Sequence, residues 1–168
     1  MYVDNAASAV SGDLLEEIKR PEFRALEILL EDRNEILWRQ VHPNNVSEGV
    51  VNNVAFDEVI SPEALVGTPK ARYEVSASMA SAVSAQDAYE HFTKNHLSAG
   101  SYAVSVGDVQ TSWARAIDDS ATYTSQGDVV GHAIIDLRGM PRVLQKRARS
   151  ILALAATRNR RKFPLENP

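Results

Sequence analysis

Three stretches of the chain are predicted to be β-strands, in which successive side chains leave opposite faces. Residues 35–41 place Ile36 and Trp38 on one face and Leu37, Arg39 and Val41 on the other. Residues 101–107 place Tyr102, Val104 and Val106 on one face. Residues 129–137 are predicted to be a strand because they are rich in the valine and isoleucine that strands favour. Two weaker patterns predict additional strands, at residues 50–56 and 72–76.

A second pattern, with apolar residues three and four positions apart, predicts helices. It occurs at residues 13–19, 21–30, 86–95, 108–117 and 141–157. Pro21 and Pro141 suit the first turn of a helix, where a missing N–H costs nothing. Residues 76–85 are nearly all small and fit neither period, so they are predicted to form a loop.

Because strands alternate with helices only in the second half of the chain, the pattern favours an α+β fold over a regular α/β fold. We expect a single domain at residues 12–157, with a mixed sheet of about 4–5 strands and helices packed on it. A helical pair precedes the sheet, and a long C-terminal helix follows it. Residues 1–11 are predicted to be disordered, and residues 158–168 to form a basic and polar tail.

Composition narrows the class of protein. The chain has 168 residues, 44% of them hydrophobic and 24% charged, which are ordinary globular values. There is no cysteine, which excludes disulfides, thiolate metal sites and a cysteine nucleophile. No apolar run is long enough to cross a membrane, and the first residues do not resemble a signal peptide. We therefore expect a cytoplasmic protein without membrane contact.

Charge is distributed unevenly along the chain. Residues 1–137 carry 9 basic and 21 acidic side chains, whereas residues 138–162 carry 9 basic side chains and no acid. Such asymmetry is typical of contact with an acidic protein partner or a nucleic acid. The candidate binding residues are Arg142, Lys146, Arg147, Arg149, Arg158, Arg160 and Arg161.

Two alternatives compete with this binding hypothesis. The basic segment can instead pack on the acidic body of the same chain, since charge runs usually form solvated faces. The apolar stripe of the last helix can instead form the interface of a homo-oligomer. The acidic body would also repel phosphates, which argues against non-specific DNA binding.

An enzyme is the second functional hypothesis. Arg39 and His42 lie near the end of a predicted strand, followed by Asn44 and Asn45. Arginine can bind a phosphate or carboxylate, and histidine can exchange a proton near neutral pH. His132 and Asp136 share one face of a later strand, about 13 Å apart, and are added as candidate catalytic residues. For the four candidate catalytic residues Arg39, His42, His132 and Asp136, the alternative is a structural role in a turn, a cap or an ion pair.

Familiar catalytic and cofactor motifs are missing from the chain. It has no GxGxxG, GxxxxGK[ST], HExxH or GxSxG pattern. His91 and His96 are five residues apart, whereas ligands on one helix face need a spacing of three or four. The sequence therefore predicts no cofactor and no metal site, and it leaves open whether the protein is an enzyme.

Several short strings together resemble a loose group of small uncharacterised bacterial proteins. These strings are WRQVHP at 38–43, AYEHFT at 88–93, SAG at 98–100, AVSVG at 103–107 and HAIID at 132–136. The similarity covers roughly residues 35–137, and residues 57–85 depart from it. The resemblance implies a bacterial, cytosolic protein and carries no activity with it.

Overall fold

The computed structural model describes residues 10–57, 73–122 and 130–165. Within them, an antiparallel sheet of seven strands has the order β1-β7-β8-β5-β2-β6-β9. A separate two-stranded sheet pairs β3 with β4. The strands are β1 (Ile28–Leu29), β2 (Ile36–Val41), β3 (Val46–Ser47), β4 (Val50–Val51), β5 (Glu74–Met79), β6 (Gly100–Ser105), β7 (Arg115–Asp118), β8 (His132–Asp136) and β9 (Arg161–Phe163).

Four α-helices accompany the sheet in the described part of the chain. They are α1 (Gly12–Glu16), α2 (Ala85–Thr93), α3 (Val106–Thr111) and α4 (Arg142–Asn159). Ser84 begins α2 by accepting a hydrogen bond from the Asp87 N–H. Ser105 and Asp108 form a reciprocal capping box at α3, which satisfies N–H groups that the first turn cannot pair.

The sheet divides the molecule into two layers because alternate side chains leave opposite faces. The face that carries Leu37, Val104 and Ile135 packs against α4 and a short 3-10 turn at Asn53–Phe56. On α4 the buried residues recur at helical spacing and include Leu144, Ala148, Leu152, Ala155 and Ala156. Helix α2 lies on the opposite face, against β6 and β2.

The α+β class, strand β2, helix α2 and the long C-terminal helix are confirmed. The expected mixed sheet of 4–5 strands is wrong, because the sheet has seven strands and each described pair is antiparallel. Strand β9 falls within the predicted tail and pairs with β6. Strand β1 adds the opposite edge by pairing with β7.

The helix predicted at residues 21–30 is wrong, so α1 stands alone where a helical pair was expected. Leu26 has a φ of 72°, which is incompatible with a right-handed helix. Leu26 and Ile28 are more than 60% exposed, whereas Leu30 packs against the core, so the apolar residues of this segment do not form one buried helical face. Ile28 and Leu29 instead extend the edge of the sheet as β1.

Three other predictions change in the structure. The loop expected at residues 76–85 begins with the second half of β5, where Ser78 and Met79 are buried. The strand expected at 50–56 is only two residues long and is followed by a 3-10 turn. The helix expected at 108–117 ends at Thr111, and residues 115–117 belong to strand β7 instead. Residues 1–9, which make up most of the segment predicted to be disordered, lie outside the described ranges.

Candidate functional site

The sheet splits between two of its central strands. β2 and β5 pair only at Leu37–Met79 and Trp38–Ser78, while β2 continues along β6 to Val41. The side chain of Arg39, the residue after Trp38, bridges the split between β2 and β5. Its Nε donates to the carbonyl of Ala55 at 2.8 Å, and its Nη1 donates to the carbonyl of Ser76 at 3.0 Å.

Arg39 is a cation without a carboxylate partner among the described residues. Burial lowers the pKa of its guanidinium to about 10, so the group remains positively charged at neutral pH. Charges removed from water are usually paired, because an uncompensated charge is expensive to desolvate. The Arg39 side chain is half-buried, and none of its nitrogen atoms is both fully buried and without a hydrogen-bond partner.

His132 lies on the other side of the split, at the start of β8. Its Nδ1 donates to Oδ1 of Asp119 at 2.6 Å, and both residues are buried. His132 is directly opposite Ser78 in the β5–β8 register, so the two side chains leave the same face of the sheet. Asp119 thereby fixes the orientation of the imidazole ring.

A cavity of about 50 Å³ opens at this split. Arg39 and His132, two of the residues predicted to be catalytic, both contribute to its wall. The remaining lining residues are Trp38, Gln40, Ser76, Ala77, Ser78 and Phe92. The indole of Trp38 is fixed by a hydrogen bond to the carbonyl of Val83.

His42 and Asp136 do not join this cavity. His42 follows β2 by one residue, about 13 Å beyond Trp38 at the usual rise along a strand. It is exposed, and its Nδ1 accepts the N–H of Asn44 as the cap of a 3-10 turn. Asp136 is at the far end of β8, where two arginines contact it. The structure thus brings together two of the four predicted catalytic residues.

Asp136 is the centre of a buried ion cluster. Its carboxylate accepts from Arg115 at 2.6 Å and from Arg138 at 2.7 Å. Arg138 also contacts Glu27 and Glu74. Although burial lowers the pKa of Arg138, the hydrogen bonds that it donates to Asp136 and Glu27 more than reverse this effect and raise the pKa above its usual value. These contacts tie the segment before β1 to the sheet, which is a structural role.

Four of the seven predicted binding residues make contacts within the fold. Arg149 lies 3.2 Å from Asp57, and Arg158 lies 2.9 Å from Asp108. Two further members make other contacts: the guanidinium of Arg147 stacks over Trp113, and Nη1 of Arg161 donates to the carbonyl of Ala99. Packing on the acidic body of the chain therefore accounts for part of the basic segment.

The remaining cations of this segment face outward. Arg142, Lys146, Arg160 and Lys162 are exposed, and no carboxylate of the described ranges lies within ion-pair distance of them. Arg142 and Lys146 are one turn apart at the start of α4. A recess of about 290 Å³ lies beside Arg142 and is also lined by Tyr73, Gln145 and Arg149.

No group of three metal-ligating side chains occurs in the described residues, and none of their helices is long and apolar enough to cross a membrane. No family model, curated protein or solved structure matches the chain.

Asp119 and Ser78 were not predicted as site residues, because both lie in stretches predicted to be turn or loop. One sequence signal for Asp119 was available: the pair Asp118-Asp119 precedes the strand that carries His132.

Proposed function

We propose that this protein is a binding module that recognises an acidic polypeptide through the outward face of α4. The residues that carry the proposal are Arg142 and Lys146. They are exposed, they have no acidic partner in the described structure, and they stand at the start of the helix. The first turn of α4 contains no acidic residue.

Helix stability does not explain the position of Arg142, which lies in the first turn of α4. The N-terminus of a helix carries a partial positive charge, so a nearby lysine or arginine is unfavourable by about 0.3–1 kcal/mol. Cations in a last turn are stabilising, but Arg142 and Lys146 lie at the opposite end. A partner that supplies negative charge would remove this repulsion.

The neighbouring side chains favour a protein over a nucleic acid as the partner. Val143 and Leu154 are 63% and 71% exposed on the same helix, so apolar side chains are interleaved with the cations. Protein interfaces combine an apolar centre with a polar rim, whereas phosphate contacts need mainly cations and donors. The recess beside Arg142 offers a place for one carboxylate of the partner.

The test uses a fluorescent polyglutamate peptide and a DNA duplex, with binding followed by anisotropy in about 50 and 200 mM salt. The double variant Arg142→Glu/Lys146→Glu should bind polyglutamate about tenfold more weakly or worse. The matched control Lys19→Glu/Lys94→Glu makes the same charge change at exposed positions elsewhere and should retain most of the affinity. Equal losses in both variants would refute the proposal, and tighter binding of DNA than of polyglutamate would assign the surface to a nucleic acid instead.

A further inference from the structure

The cavity at the sheet split contains a cation that the fold does not neutralise. A guanidinium carries five N–H donors, and in Arg39 two of them reach the carbonyls of Ala55 and Ser76. No acceptor among the described residues takes the other three. Carbonyl oxygens carry only partial negative charge, so they satisfy hydrogen bonds without supplying a counter-ion.

Two other half-buried arginines, Arg115 and Arg138, contact the carboxylate of Asp136, which offsets the cost of removing these cations from water. Arg20 resembles Arg39 instead, since it donates to the carbonyl of Trp113 and has no carboxylate partner among the described residues. Arg39 makes two hydrogen bonds to carbonyls and no contact with a described carboxylate, so a negatively charged ligand would find free N–H donors on its guanidinium.

The size of the cavity limits what that ligand can be. One water-sized group needs roughly 10–15 Å³ of such space, so a cavity of about 50 Å³ holds roughly four of them. A carboxylate with its attached carbons has this size. A carboxylate is also planar, and it matches the flat fork of a guanidinium through two parallel hydrogen bonds.

We propose that this cavity binds the carboxylate of a small organic acid, held by Arg39. The hydroxyl of Ser78, which makes no hydrogen bond with a described residue, offers a further polar contact on the wall. Trp38 and Phe92 supply apolar surface for the carbon chain of the ligand. This site is separate from the outward face of α4 and does not depend on the function proposed there.

Asp119, an acidic residue bound to the cavity wall, is not itself exposed in that wall. Asp119 is not part of the cavity wall in the described structure, and its Oδ1 accepts a hydrogen bond from His132. The histidine therefore lies in the wall, with the aspartate bound to it. A carboxylate ligand would meet the guanidinium of Arg39 and the hydroxyl of Ser78.

The first experiment uses the unmodified protein, so it does not depend on a variant that folds. Acetate is titrated into ¹⁵N-labelled protein, and the signals of Arg39 Nε–H and of the Ser76 and Ser78 amides are followed by NMR. Acetamide, which has nearly the same shape without the charge, is the control at matched ionic strength. Saturable shifts with acetate and none with acetamide are expected. No saturable shift with acetate, or equal shifts with both compounds, would overturn the proposal.

The second experiment asks whether Arg39 is the binding group. Arg39→Gln should weaken acetate binding about tenfold or more, because a charge-assisted hydrogen-bonded pair is lost. Arg33→Gln is the matched control, since Arg33 is exposed and donates to Gln110 elsewhere, and it should bind acetate as the unmodified protein does. Unchanged affinity in a folded Arg39→Gln variant would refute the role of Arg39. Tighter binding of inorganic phosphate than of acetate would refute the assignment to a carboxylate.

Discussion

The substitution Asp136→Asn tests whether the buried ion cluster holds the edge of the sheet in place. The Asp136 carboxylate is fully buried, and it accepts from Nε and Nη2 of Arg115 at 2.9 and 2.6 Å. It also accepts from Nε of Arg138 at 2.7 Å. Asparagine keeps the shape of the side chain but removes the charge that both arginines face.

The expected cost follows from what each arginine retains. Arg138 keeps Glu27 and Glu74, whereas no other carboxylate of the described residues lies within ion-pair distance of Arg115. Breaking a buried pair by removing one partner costs about 3–5 kcal/mol. Because one arginine remains compensated, we expect the lower end, about 3 kcal/mol of unfolding free energy.

Urea denaturation followed by circular dichroism measures this loss. At about 2 kcal/mol per molar urea, the midpoint should fall by about 1.5 M. Glu31→Gln removes one charge at an exposed position that makes no ion pair in the described structure, and it should change stability by less than about 0.5 kcal/mol. A loss below about 1 kcal/mol for Asp136→Asn would refute the reasoning, because the two arginines would then not depend on this carboxylate.

Three further predictions concern the stability of the fold that surrounds the two proposed sites. Gly139→Ala should cost about 2–3 kcal/mol in thermal or urea unfolding, because Gly139 has a φ of 75° and a Cβ there would collide with the Lys19 carbonyl; a neutral result would contradict this geometry. Ser105→Ala should cost about 1 kcal/mol by the same measurement, since it removes the capping box of α3, and a change within error would count against the cap. Burial raises the pKa values of Glu27 and Asp108, but hydrogen bonds and arginine neighbours more than reverse this effect, so both pKa values are lowered. Their contribution to stability is complete above about pH 5 and is lost as the pH falls towards the folded-state pKa values; a melting temperature that stays constant between about pH 6 and 3 would contradict it.

Elements with a regular pattern and a buried face were predictable from the sequence. β2 alternates polar and apolar residues and lies in the middle of the sheet, and α4 shows helical spacing over 18 residues. The segment at 21–30 shows the same helical spacing, yet Leu26 and Ile28 remain exposed. Periodicity records which residues are apolar, but it does not say whether a surface exists to cover them.

The candidate site was only partly predictable for a related reason. Arg39 and His132 could be chosen as reactive residue types, but their meeting depends on where β2 and β5 separate. Ser78 occupies a run of small residues without any period, and it becomes a strand residue only because β2 and β8 flank it. Long-range pairing of this kind leaves little trace in local sequence.

The contacts that four of the seven predicted cations make within the fold were not predictable from the sequence either. Nothing in the spacing of Arg149 or Arg158 indicates that Asp57 and Asp108 lie beside them. The structure reduces the outward cations to those at the two ends of α4 and its following residues. The proposed function depends on this smaller set of cations, chiefly on Arg142 and Lys146.

NMR mapping of the polyglutamate complex tests that function most directly. Adding the unlabelled peptide to ¹⁵N-labelled protein should shift, in a saturable way, the amide signals of residues 142–147 and those facing the same side of α4. Shifts confined to other parts of the surface, or no saturable shift at low salt, would contradict the account.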